Sequence, residues 1–102
     1  MSRRKQLEEM LASDPDDAFL NYALAKELLT AGETTAALAA FDRVITLHPD
    51  YVPAYFQKGQ ALAETGEIEA ARAVLTDGIT VAERTRDTHA AAEMTDFLES
   101  LS

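Results

Sequence analysis

Apolar residues recur along most of this chain at intervals of three and four positions rather than at every second position. This spacing is typical of amphipathic helices, because one helical turn takes 3.6 residues. Prolines and glycines, together with the acidic residue Asp87, divide the pattern into six segments. We therefore predict an all-α protein with helices over residues 3–13, 16–31, 34–47, 51–65, 68–84 and 87–101.

Acidic residues and glycines mark the expected helix ends. Pro15 and Asp16 suit a helical first turn, where proline is tolerated and a carboxylate faces the positive end of the helix dipole. The same pattern recurs at Pro49. Gly32 and Gly66 stand where a helix commonly ends in a left-handed residue. The short connections predict that successive helices are antiparallel neighbours.

The chain repeats itself every 34 residues. Of the 32 positions from 15 to 46, ten hold the same residue as the position 34 further on, including Pro15, Gly32 and Ala37. A period of 34 indicates a helix–turn–helix unit. We predict one domain made of a half-repeat over 3–14, repeats over 15–48 and 49–84, and a capping helix over 87–101.

The repeat resembles the tetratricopeptide repeat, whose pattern is W-x2-L-G-x2-Y, A-x3-F and then P. The first copy reads Asn21-x2-Leu24-Ala25-x2-Leu28, Ala37-x3-Phe41, Pro49. The second reads Tyr55-x2-Lys58-Gly59-x2-Leu62, Ala71-x3-Leu75. The segment Gly78-Ile79-x2-Ala82 is similar to that of a short, stand-alone bacterial type. The resemblance implies a right-handed superhelical array of antiparallel helix pairs.

Two residues depart from the family pattern. Asn21 replaces an aromatic residue, and Lys58 stands where an apolar residue is expected. The amine of Lys58 either pairs with an acidic group of a partner or reaches solvent while its stem lies along the core, and the second reading is favoured.

The resemblance also implies a function, because partners of this family lay a peptide or a helix in a concave groove. The positions that would line the groove are Phe19, Tyr22, Lys26, Leu29, Pro53, Phe56, Gln60 and Ala63. The alternative is that some of them, Phe19 above all, pack as core. A clamp for a terminal carboxylate is disfavoured, because Lys26 and Lys58 are too few cations.

The net charge of −9 argues against nucleic-acid and membrane partners. The chain has no cysteine and no long apolar run, so we expect a cytoplasmic protein. His48 and His89 do not have the spacing of metal ligands, and the adjacent carboxylates point in different directions on a helix. We predict no catalytic residue, metal or cofactor, and hence no enzyme.

A second hypothesis is a structural module that associates with itself. The N-terminal half-repeat could leave the apolar side of Leu7, Met10 and Leu11 uncovered, and an unfinished end can stack on a second copy. The sequence thus allows a weak homodimer besides binding of an unknown protein or peptide.

Overall fold

The computed structural model describes residues 2–101, and the regular elements in that range are all α-helices. They are α1 (Arg3–Ser13), α2 (Ala18–Thr30), α3 (Thr34–Leu47), α4 (Val52–Glu64), α5 (Ile68–Arg84) and α6 (Thr88–Ser100). The predicted all-α class and its six helices are confirmed.

The chain folds into two compact units, Met1–His48 and Pro49–Ser102. In the first unit α2 packs against both α1 and α3. In the second unit α5 packs against both α4 and α6, and α4 and α6 also touch each other. Each unit therefore builds its own core from neighbouring helices that are joined by short connections.

Three of the predicted helix starts were one or two residues too early. Helix α2 begins at Ala18, because Pro15 and Asp16 form a turn and the Asp17 carboxylate caps the helix by accepting from the Leu20 N–H at 2.8 Å. Helix α4 begins at Val52, with Pro53 in its first turn. In α6, Asp87 caps the helix from outside, accepting from Ala90 N–H at 3.1 Å.

Helices α2, α4 and α5 end in the same left-handed geometry. Gly32 and Gly66 have φ of 81° and 84°, and Arg86 has φ of 63°. In each case the next residue donates its N–H back across the turn, as Glu33 does to the Leu28 carbonyl at 3.0 Å. The predicted helix ends at Gly32 and Gly66 are confirmed. The third left-handed helix end is at Arg86, and because it has no glycine, the sequence did not predict its geometry.

Small residues let the paired helices approach closely. Ala25, Ala37 and Ala71 are fully buried. A Cβ atom added at Gly59 would lie 2.7 Å from Leu75 Cγ. The largest fully buried side chains among the described residues are Phe41, Val44, Leu75 and Met94.

The apolar residues of α1 are covered differently from what the pattern predicted. Leu7 is buried within the first unit, so the expectation that it is uncovered is wrong, whereas Leu11 is half-buried. Met10 does remain 53% exposed. In the second unit, Met94 of α6 is fully buried, which gives the closing helix a firm apolar contact.

Candidate functional site

The first candidate surface lies between α1 and α2. Phe19, Tyr22 and Lys26 follow one another at spacings of three and four, so they share one face of α2. They line an open cleft of about 270 Å³, here called the α1–α2 cleft. Its other lining residues are Arg3, Ala23, Glu27 and Thr30. Phe19 is 59% exposed, which is unusual for a phenylalanine and rules out the core role considered for it.

The core of the first unit fixes the orientation of Tyr22. Its ring centroid lies 6.0 Å from that of the fully buried Phe41, with the planes tilted by 60°. The Lys26 ammonium lies 5.8 Å from the Tyr22 centroid, within the range of a cation–π contact. Tyr22 thus agrees with both the groove position and the core position considered for it, because one part of its ring packs inward while another faces the cleft.

The charged groups of the α1–α2 cleft come from two helices. Arg3 Nε of α1 lies 3.2 Å from Glu27 Oε1 of α2, and Lys26 adds a second cation. Sequence reasoning missed Arg3 and Glu27, since no periodic signal indicates which residues of α1 face α2. Leu29 is half-buried and lies outside the lining of this cleft.

The second candidate surface lies between α4 and α6. Phe56 and Phe97 meet edge to face, with centroids 6.0 Å apart and planes at 66°. They line an open cleft of about 400 Å³, here called the α4–α6 cleft. The remaining lining residues are Glu93, Asp96 and Ser100. The sequence singled out Phe56 but not its partners on α6, which had been assigned only to a cap.

The other predicted groove positions on α4 lie outside the lining of the α4–α6 cleft. Pro53 is exposed, and Gln60 and Ala63 are half-buried. Lys58 is half-buried on the same helix. The prediction that all these positions, with those on α2, line one groove stays a prediction.

The histidines make structural contacts. His48 Nε2 lies 2.8 Å from the Asp16 carbonyl oxygen, and His89 Nε2 lies 3.2 Å from Glu93 Oε1. Among residues 2–101 no three His, Cys, Asp or Glu side chains gather as metal ligands would. Over the same range no helix has the length and apolar character needed to cross a membrane.

The comparisons with known proteins agree on the family. A family model described as tetratricopeptide repeat matches residues 22–88. A TPR repeat-containing protein of Pseudomonas aeruginosa is 34% identical over 95 residues, which are 93% of this chain and 90% of that protein. This chain therefore belongs to the tetratricopeptide-repeat family, which is generally a non-catalytic protein-interaction fold.

Solved structures show the same fold. A tetratricopeptide repeat domain protein from Salinibacter ruber superimposes with a TM-score of 0.82 at 30% identity, over 86% of this chain and 89% of that one. The TPR2B domain of yeast Sti1, solved in a complex with pHsp70, gives a TM-score of 0.89 at 23% identity. That match covers 96% of this chain and 78% of the yeast chain, and at this identity it shows the fold alone.

Proposed function

We propose that this protein is a non-catalytic adaptor that binds a peptide or a helix of a partner protein through the faces of α2 and α4. The residues that carry the binding are Phe19, Tyr22, Lys26, Leu29, Phe56 and Gln60. The observation that supports this most is the exposure of Phe19, 59% of whose surface is open to solvent beside a cleft. An exposed aromatic anchor in a cleft is the kind of residue that dominates interface energetics.

Several finer points belong to the same proposal. The partner is a protein or peptide, and neither nucleic acid nor a membrane, since the net charge is −9. The site of action is the cytoplasm of a bacterium, in line with the relative from Pseudomonas aeruginosa. The half-repeat, the two repeats and the capping helix act as one domain. The TPR2B domain of yeast Sti1, which has the same fold, was solved in a complex with pHsp70.

Phe19 offers a cleaner test than the other two aromatic residues. Tyr22 packs on Phe41 and Phe56 packs on Phe97, so truncating either would also remove a contact between two helices. Met10 supplies a matched control, because it is also a large apolar residue and is 53% exposed, but it lies outside the α1–α2 cleft.

The experiment is an affinity pull-down from lysate of the native host, read by quantitative mass spectrometry. The baits are the wild type, Phe19→Ala and Met10→Ala, each checked by circular dichroism to be folded. We expect a protein that the wild type and Met10→Ala capture and Phe19→Ala loses. Equal capture by all three baits would mean that the α1–α2 cleft does not bind the partner.

Self-association is the second candidate function, and the exposure of Met10 favours it. Met10 lines a shallow surface cleft on α1 together with Gln6, Glu9 and Ser13. Light scattering coupled to size exclusion would show a dimer in the wild type that Met10→Ala weakens. A strict monomer at high protein concentration would remove this candidate.

A further inference from the structure

The α4–α6 cleft has an electrostatic character of its own. Two of its five lining residues are the carboxylates Glu93 and Asp96, and none is a cation. Helix α6 as a whole carries these two and Glu99, without a lysine or an arginine. The α1–α2 cleft, by contrast, contains Arg3 and Lys26 with one carboxylate. The two surfaces therefore select for different charges on whatever they bind.

The carboxylates of the α4–α6 cleft are available to a ligand. Asp96 is exposed and forms no ion pair with any residue in the described range of 2–101. Glu93 lies 3.2 Å from His89, whose side chain is 86% exposed and charged only when protonated. An exposed pair of this kind contributes little, so a stronger cation can replace the histidine.

The aromatic floor of the cleft is suited to a cation with an apolar stem. Phe56 and Phe97 are both half-buried, so part of each ring remains open in the cleft. Glu93, Asp96, Phe97 and Ser100 stand at positions i, i+3, i+4 and i+7, which places them on one face of α6. A guanidinium or ammonium over an aromatic ring gains a cation–π attraction, and a nearby carboxylate adds a charge-assisted hydrogen bond.

We propose that the α4–α6 cleft binds an arginine or lysine side chain from a basic segment of the partner protein. This inference rests on the proposed function and names the chemistry of the partner. The alkyl stem of the basic side chain lies against Phe56 and Phe97, and its charged end pairs with Asp96 and Glu93. The overall charge of −9 draws such a segment in and repels an acidic one.

The test uses two matched peptides and the full ¹⁵N-labelled chain, followed by NMR. One peptide is acetyl-Ala-Leu-Arg-Arg-Leu-Ala-amide, and the other has citrulline, a neutral isostere, in place of each arginine. We expect saturable shifts of the backbone amides at Phe56 and across residues 93–100 with the arginine peptide. The citrulline peptide binds about fivefold or more weakly, because it loses the ion pairs.

A pair of double variants separates a local site from a general effect of charge. Glu93→Gln/Asp96→Asn neutralises the cleft, whereas Glu64→Gln/Glu83→Gln changes the net charge equally at exposed residues that line neither cleft. We expect the first variant to lower the affinity for the arginine peptide about fivefold or more and the second to leave it nearly unchanged.

Three results would overturn the inference. Equal weakening by both double variants would mean long-range attraction without a site. Shifts spread over every acidic helix would mean the same. Concentration-dependent shifts at residues 93–100 without peptide, removed by Arg3→Ala/Arg4→Ala/Lys5→Ala, would assign the cleft to a second copy of this chain.

The pull-down with Phe19→Ala and the peptide titration test the proposed function and the basic partner segment separately. Capture that depends on Phe19, combined with no response to the arginine peptide, would contradict only the basic partner segment. Equal capture of the partner by the wild type and by Phe19→Ala would contradict the proposed binding through α2, whether or not the arginine peptide binds.

Discussion

Asn21 and Tyr55 stand 34 residues apart, and each donates a hydrogen bond to the carbonyl oxygen of the proline six residues before it. Asn21 Nδ2 lies 2.9 Å from the Pro15 oxygen, and the Tyr55 hydroxyl lies 2.6 Å from the Pro49 oxygen. Both side chains are largely buried. Asn21, which departs from the aromatic family pattern, thus fills the same role as Tyr55 by different chemistry.

Removing either donor should destabilise its unit. We expect Asn21→Leu and Tyr55→Phe each to lower the free energy of unfolding by about 1 kcal/mol, because each removes a hydrogen bond to a proline carbonyl. The Pro15 oxygen keeps a second donor, Arg43 Nη2 at 3.2 Å. The cost at Asn21 includes its second bond, 2.8 Å to the Asp17 carbonyl oxygen. Urea denaturation followed by circular dichroism measures both. An unchanged midpoint for both variants would show that water replaces these donors without cost.

The Tyr55 hydroxyl also makes stability depend on pH in the alkaline range. Burial raises the pKa of Tyr55 above its ordinary value, the carboxylates of Asp77 and Asp50 raise it further, and Arg84 opposes them. A raised pKa in the folded state means that the contribution is complete below the unfolded-state value of about 10 and is lost as pH rises through the folded-state value.

The stability advantage of the wild type over Tyr55→Phe should therefore shrink above a pH of about 10. Urea denaturation of both proteins at neutral and alkaline pH measures this difference. The ionisation of Tyr55 can be followed by spectrophotometric titration, as the difference in absorbance between a protein that has Tyr55 and the same protein with Tyr55→Phe. In this difference, Asp77→Asn should lower the pH at which Tyr55 ionises. A difference in stability that is constant with pH would contradict the prediction.

Gly78 allows α5 to lie against both α4 and α6. A Cβ at Gly78 would lie 2.6 Å from Tyr55 Cβ and 2.7 Å from Met94 Sδ. We expect Gly78→Ala to destabilise the protein by about 1–3 kcal/mol through overpacking, in spite of the gain in helix propensity of up to about 1 kcal/mol.

Gly59→Ala is the matched comparison for Gly78→Ala. Its added Cβ would lie 2.7 Å from Cγ and Cδ2 of Leu75, and these side-chain atoms can move more readily than the Cβ of Tyr55. Thermal unfolding of both variants should show the larger loss for Gly78→Ala. The reverse order would mean that Leu75 is held more rigidly than Tyr55 and Met94.

Of the three residues that end a helix in left-handed geometry, Arg86 is the one at which a substitution should stabilise the protein. Its φ of 63° strains an L-residue, whereas the equivalent Gly32 and Gly66 adopt this geometry freely. We expect Arg86→Gly to raise the free energy of unfolding by about 1 kcal/mol. Differential scanning calorimetry measures the accompanying rise in Tm.

Gly66→Ala is the opposite control for Arg86→Gly. No atom lies within 4 Å of a Cβ built at Gly66, so any loss of stability there comes from the backbone geometry alone. A loss of about 1 kcal/mol is expected. If Gly66→Ala were neutral, the stabilisation expected for Arg86→Gly would have no basis.

Much of the fold followed from local signals in the sequence. Helix periodicity, the glycine stops and the 34-residue repeat predicted six helices with ends within about two residues of those observed. These signals are reliable because they depend on residues close together in the chain. The resemblance to the repeat family singled out Phe19, Tyr22, Lys26 and Phe56 as groove positions. Helical spacing accounts only for the shared face of the first three on α2.

Only the tertiary structure decided which residues from other helices join them. The short connections predicted that α1 lies beside α2 and that α6 lies beside α5, but they did not predict that Arg3 and Phe97 line the clefts. The acidic residues that follow Pro15 and Pro49 make the same point.

Asp16 pairs with Arg43 at 2.9 Å, but the residue 34 positions beyond Arg43 is Asp77. Asp50 pairs instead with Arg84, at the far end of α5. The sequence by itself determined the helices and the helix ends at Gly32 and Gly66, because these depend on local backbone preferences. The partners of charged and aromatic side chains depend on contacts between distant residues, which only packing establishes.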